Sequence, residues 1–182
     1  MLPEKNEPTD QELLSRALQG DADAFGDIYE RYLDEIHRYV YFRVTDRFEA
    51  EDLTETVFLK AWEALPRFRS PDVNLRAWIY RIAHNTVVDH YRTYKPTSDL
   101  PTGQAPDVSP LPEHQIQNLD EHERLAGLIR SMDANLQQVI ICRFANGMSH
   151  AETAEVMDIK EGHVRVLQLR ALQKLRKLLE NE

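Results

Sequence analysis

A single cysteine, Cys142, stands in a chain of 182 residues. No intrachain disulfide can form, so the fold must rest on its hydrophobic core. Cys142 follows Ile140 and Ile141 and reads as a core residue rather than a reactive one. The histidines at 37, 84, 90, 114, 122, 150 and 163 are scattered, with no HExxH and no Cys/His cluster, which argues against a zinc site. There is no Walker-type or GxGxxG loop and no nucleophile–base signature, so no cofactor, metal or catalytic residue is expected. Long apolar runs are missing too. The longest aliphatic or Cys run is "VIIC" (139–142), far short of a membrane span. The first residues, "MLPEKNEPTDQE", are polar and acidic and make no signal-peptide core, so a cytoplasmic protein without membrane insertion is expected.

Glycine is scarce and β-branched runs are few, which favours helix. The apolar spacing agrees. Thr9 and Glu12 form a capping box before a first helix that ends at Gly20. Asp21 or Asp23 caps a second, with Phe25, Ile28, Tyr29, Tyr32, Ile36 and Val40 at helical intervals. A third helix runs from about Phe48 to Leu65 and stops at Pro66, with Leu53, Val57, Phe58, Ala61 and Trp62 apolar. After the loop "RFRSPDVN", a fourth covers about Leu75–Tyr94, with Leu75, Trp78, Ile79, Ile82 and Thr86 expected inside.

Five of the nine prolines then fall between 93 and 118, which marks that stretch as an extended linker. Beyond it come a helix over about Pro112–Ser131, another from Asp133 to "NG" (146–147), a short helix capped by Ser149 with Glu152, and a long one from about Glu161 to Leu179. Short helix, tight turn and longer basic helix make a helix-turn-helix. The expected fold is all-α: a helical bundle over 1–92, a Pro-rich linker over 93–118 and a helix-turn-helix domain over 119–182.

The formal net charge is −9, but the charges are not spread evenly. Residues 66–95 hold six Lys/Arg against two Asp/Glu, and residues 162–182 hold five against two. Binding to DNA depends on local phosphate neutralisation, so two basic islands in an acidic chain allow it.

Four stretches, taken in order, resemble the extracytoplasmic-function (ECF) branch of the bacterial sigma-70 family. They are "GDADAFGDIYERY" (20–32), "AEDLTETVFLKAW" (50–62), "LRAWIYRIAHNTVVDHYR" (75–92) and "NGMSHAETAEVMDIKEGHVR" (146–165). The resemblance covers nearly the whole chain. It implies a non-enzymatic sigma factor that binds core RNA polymerase, directs promoter-specific transcription initiation and is held inactive by an anti-sigma protein. By that resemblance Asp52, Leu53, Glu55, Thr56 and Phe58 dock on polymerase. Phe68, Arg69, Ser70, Asp72, Asn74, Arg76, Arg81, Asn85 and Arg92 meet the minus-ten element as single strand. Ser149, His150, His163, Arg165, Val166, Leu169 and Arg170 meet the minus-thirty-five duplex.

The residue chemistry is compatible with these roles. A captured base needs an apolar wall and hydrogen-bonding groups, and an asparagine amide both donates and accepts. The chain departs from the family pattern at Glu55 (usually Gln), Thr56 (usually Glu), Thr153 (usually Ile) and Asp158 (usually Gly). Val166 and Leu167 replace a common Ser-Arg pair. A helical projection puts Val164, Leu167, Ala171, Leu175 and Leu178 inward and leaves Val166, Leu169 and Arg170 outward, where apolar groups can meet thymine methyls. The alternative reading is a one-component helix-turn-helix regulator with residues 1–92 as a ligand or dimer domain.

Overall fold

A computed structural model describes residues 7–67, 74–93 and 113–180, and every regular element among them is helical. In chain order these are α1 (Asp10–Leu18), α2 (Ala22–Tyr41), α3 (Arg47–Ala64), α4 (Leu75–Thr93), α5 (Glu113–Arg130), α6 (Ala134–Ile140), α7 (His150–Met157) and α8 (Glu161–Glu180). A 3₁₀ turn, Leu65–Arg67, follows α3, and a π turn, Ile141–Ala145, continues α6. Helix α5 takes over the last part of the stretch expected as linker. Residues 94–112, the remainder of it, lie outside the described residues.

Side-chain caps set the helix starts. The Thr9 hydroxyl accepts from the Glu12 amide at 3.3 Å while Glu12 Oε2 accepts from the Thr9 amide at 2.7 Å. Asp21 caps α2 by accepting from the Ala24 amide at 3.1 Å. Asp46 accepts from the Phe48 and Glu49 amides at 2.7 and 3.2 Å. Each such cap contributes about 1 kcal/mol.

Helices α1 to α4 form the first bundle. Leu13, Ile28, Ile36, Val40, Val57, Ile79 and Val87 fill its centre, and Tyr39 meets Tyr80 edge-on at 5.2 Å. Helix α4 widens the expected inner face: Leu75, Ile79 and Thr86 are buried, and Trp78 and Ile82 pack against the same core. Trp78 and Ile82 are only half-buried, whereas Tyr80 and Ala83 are fully enclosed. The reason is that α4 is packed twice, against α2 and α3 on one side and α7 on the other.

Helices α5 to α8 form the second unit, with Val139, Ile141, Met148, Val164 and Ala171 inside. Cys142 is fully buried there, and loss of water around it pushes the thiol up to about 12. The nucleophile is the thiolate, so raising the pKa removes it at neutral pH. Cys142 in the native chain is therefore expected to resist a thiol reagent at pH 8 and to react fully once denaturant is added. Rapid native labelling would contradict this placement.

Candidate nucleic-acid interface

Of the expected minus-ten residues, Phe68, Arg69, Ser70 and Asp72 lie outside the described residues. The other five sit on or just before α4. Asn74 opens the helix, its Oδ1 accepting from the Ala77 amide at 3.0 Å. Its Nδ2 donates across to Glu155 of α7. Arg76 is heavily committed. Its Nε and Nη2 grip both oxygens of Glu35 on α2 at 3.0 and 2.8 Å, and its Nη1 reaches Glu152 of α7 at 2.6 Å. The fork is bidentate and half-buried, which makes Arg76 a structural clasp before it is a phosphate ligand. Arg81 and Asn85 border a cleft of about 280 Å³ whose opposite wall includes Gln138, Met157 and His163. His84 also lines it, and burial lowers its pKa. Arg92 is exposed near the end of α4, 3.2 Å from Asp89.

The helix-turn-helix is built from α7 and α8. The Ser149 hydroxyl accepts from the Glu152 amide at 3.1 Å, and Glu152 Oε2 accepts from the Ser149 amide at 2.7 Å. That capping box lowers the Glu152 pKa, with the Ser149 amide the largest cause and Arg76 adding to it. Asp158 makes the turn in the left-handed region, φ 54°. Asp tolerates that region better than most residues, so the usual Gly is not required. The threonine at 153 is fully buried, and its hydroxyl donates to the Ser149 carbonyl at 2.8 Å, so the family's usual Ile is replaced without an orphaned polar group.

Helix α8 divides as its periodicity requires. Val164, Leu167 and Ala171 are buried, while Val166 and Leu169 are 46% and 59% exposed. His163, Arg165 and Arg170 are exposed, and Arg165 pairs with Glu161 at 2.5 Å.

The third surface lies on α3. The expected docking residues divide here between core and surface. Leu53 and Phe58 are only 9% and 4% exposed and belong to the core, with Phe58 edge-on to Tyr29 at 4.8 Å. Asp52 and Glu55 are exposed and Thr56 is half-buried. Beside them Phe48, Leu59 and Trp62 are exposed apolar residues. Phe48, Asp52, Glu55, Leu59 and Trp62 follow one another at alternating intervals of four and three, so they form one stripe. Trp62 is among the apolar residues expected on this helix, whereas Leu59 was passed over and Phe48 was taken only as its start. The heptad-like spacing was the available signal.

Asn146 was also missed. It was read only as part of a helix stop, yet its amide joins the two units. Nδ2 donates to the Tyr80 hydroxyl at 2.7 Å and to the Glu35 carbonyl at 3.1 Å. Oδ1 accepts from Arg38 at 3.0 Å.

Among the described residues no group of metal-ligating side chains is assembled, and no helix is long and apolar enough to cross a membrane. A helix-turn-helix and a second basic helix define the class: an all-helical, two-unit protein of the helix-turn-helix, DNA-binding kind. Comparison with known proteins specifies it. The models "Sigma-70 region 2" and "Sigma-70, region 4" match residues 28–97 and 128–177. The ECF RNA polymerase sigma factor BldN of Streptomyces coelicolor is 36% identical over 94% of this chain and 66% of its own length. SigD of Mycobacterium tuberculosis is 30% identical over 90% of this chain and 81% of its own. Among solved structures, CnrH in complex with the cytosolic domain of CnrY is 26% identical, with TM-score 0.75 over 95% of this chain and 98% of that one.

The chain belongs to the ECF RNA polymerase sigma factors of the sigma-70 family. That membership sets aside the one-component regulator reading.

Proposed function

We propose that the chain docks on core RNA polymerase through the α3 stripe and gives that enzyme promoter specificity. Residues 1–92 engage the minus-ten element and residues 119–182 the minus-thirty-five element, joined by 93–118. The observation that carries this reading is the pairing, in one chain, of an exposed stripe on α3, with Phe48, Leu59 and Trp62 outward, and a helix-turn-helix whose last helix exposes Arg165, Val166, Leu169 and Arg170. Such a stripe suits a helical protein partner, and the second surface suits duplex DNA. The chain acts in the cytoplasm as a non-catalytic subunit. Structural neighbours such as CnrH are held by a partner, and an anti-sigma protein is the corresponding regulator here.

On α8, Arg165 and Arg170 meet phosphate or guanine and Val166 and Leu169 meet thymine methyls, with Ser149, His150 and His163 at the edge of the same contact. On α4, Asn85 captures an unpaired base, while Arg81 and Arg92 hold backbone. The purified chain with cognate core polymerase is expected to support promoter-dependent transcription; failure of that reconstitution sinks the reading. Asn85→Ala is expected to impair promoter opening, read by permanganate reactivity, more than duplex binding. Equal loss in both assays would remove Asn85 from the base-capture role.

A further inference from the structure

One hydrophobic core runs through both units: Tyr80 and Ala83 of α4, Ile140 of α6, Val156 of α7 and Ala171 of α8 belong to the same cluster. The cleft of about 280 Å³ beside it is therefore a formed cavity with fixed walls. Its floor holds an anomaly. Gln138 is only 5% exposed and lines the cleft, yet its side-chain amide has no hydrogen-bond partner among the described residues. Buried polar groups are nearly always paired, so an amide left open to a cavity calls for an occupant.

The other walls complete a pattern. On α6, Asn135 lies one turn before Gln138, on the same face. On α4, Arg81, His84 and Asn85 share a face by the same spacing. The side chains of Arg81, Asn85 and Asn135 also have no partner among the described residues. Val156, Met157, Ile159 and Leu167 make one side apolar, and Asp158 sets a carboxylate at its edge. These groups match a nucleotide part by part. An amide pairs through its adjacent donor and acceptor with the edge of adenine. An apolar wall takes the face of the ring. A carboxylate accepts from ribose hydroxyls, and a guanidinium holds phosphate by two parallel bonds. A bare phosphate leaves the amides unused, and an apolar ligand leaves every polar group unpaired. We propose that this cleft binds a free adenine mononucleotide, with Gln138 and Asn135 on the base, Asp158 on the ribose and Arg81 on the phosphate. Occupancy covers Asn85 and His163, so one ligand reaches both basic helices at once.

Isothermal titration of adenosine monophosphate (AMP) into the full chain is expected to show one site with a dissociation constant of roughly 10–100 μM, the range for a ligand of this size. Adenosine and inorganic phosphate, titrated separately, each engage part of the cleft and are expected to bind at least about ten-fold more weakly. Gln138→Leu keeps the size of the side chain and removes its amide. It also removes a buried unpaired group, so this variant is expected to melt no lower than the unsubstituted chain. Asn135→Ala removes an exposed amide at the rim. Each variant is expected to weaken AMP binding about ten-fold. Gln173→Leu, the same exchange on the exposed side of α8, is expected to change nothing.

No saturable heat with AMP up to about 1 mM, inorganic phosphate bound as tightly as AMP, or unchanged AMP affinity in either folded variant overturns the proposal. So does adenine bound only within a single-stranded oligodeoxyadenylate, because the cleft would then belong to the strand-binding face. Circular dichroism melts verify that each variant is folded. Binding requires neither polymerase nor promoter DNA, so it is measured on the chain alone and its failure leaves the sigma reading standing.

Discussion

Leu59→Asp is expected to weaken binding to core RNA polymerase by about a hundred-fold while leaving the melting temperature almost unchanged. Leu59 is 57% exposed and lies at the centre of the α3 stripe, between Glu55 and Trp62. Truncating a central apolar anchor costs about 2 kcal/mol or more at an interface, and a buried, unpaired carboxylate adds to that. At an exposed helical site the same change costs the isolated chain only about 0.5 kcal/mol. Phe58→Ala gives the opposite pattern. Its ring is enclosed against Tyr29, so truncation destabilises the bundle by about 3–5 kcal/mol and reduces docking only through unfolding. Titration of labelled core polymerase, paired with thermal melts, separates the two. Normal polymerase affinity in a folded Leu59→Asp protein would remove the stripe from the docking surface.

Asn146→Ala is expected to destabilise the chain by about 3 kcal/mol, read as a fall in melting temperature of roughly 6–12 °C. The amide makes three bonds to three different groups, and its loss removes an added donor to the Glu35 carbonyl, the acceptor of Arg38 and part of the bonding of Tyr80. Tyr80 has little alternative. Its hydroxyl otherwise reaches only Glu35 Oε2, at 3.3 Å, and burial pushes its pKa far up, so it stays a neutral donor. Asn146→Asp is not a rescue, because it removes the donor and places a carboxylate near Glu35. A fall of less than about 1 °C in Asn146→Ala would mean that the two units do not depend on this joint.

Helix boundaries were legible because local chemistry decides them. Thr9, Asp21 and Ser149 cap where a short polar side chain precedes an apolar repeat, and Asp158 turns where a Gly was expected. The split of α8 was legible because only one stripe of that helix is packed. Helices packed on two sides defeated the same logic. In α4, periodicity favoured Trp78 and Ile82, which pack half-buried against the core, while Tyr80, edge-on to Tyr39, and Ala83 are fully enclosed. In α3, apolar residues stand on both the core and the outer face, so periodicity did not separate the enclosed Leu53 and Phe58 from the exposed Phe48, Leu59 and Trp62. Joints between units were the least legible. Nothing local to Glu152, Glu155 or Asn146 reveals that partners more than sixty positions away complete their bonding.

The π turn at Ile141–Ala145 works as a register device. The Asn146 amide donates to the Ile141 carbonyl at 2.9 Å, one residue further back than an α-helix allows. The widened turn changes the azimuth at which everything beyond it leaves α6, by roughly the 100° that one helical residue spans. Asn146 is thereby turned toward Tyr80 and Glu35. How the helix-turn-helix is aimed at the first bundle thus depends on the length of this stretch as much as on its composition. Deleting one residue here would keep every apolar side chain but one and still point the second unit elsewhere.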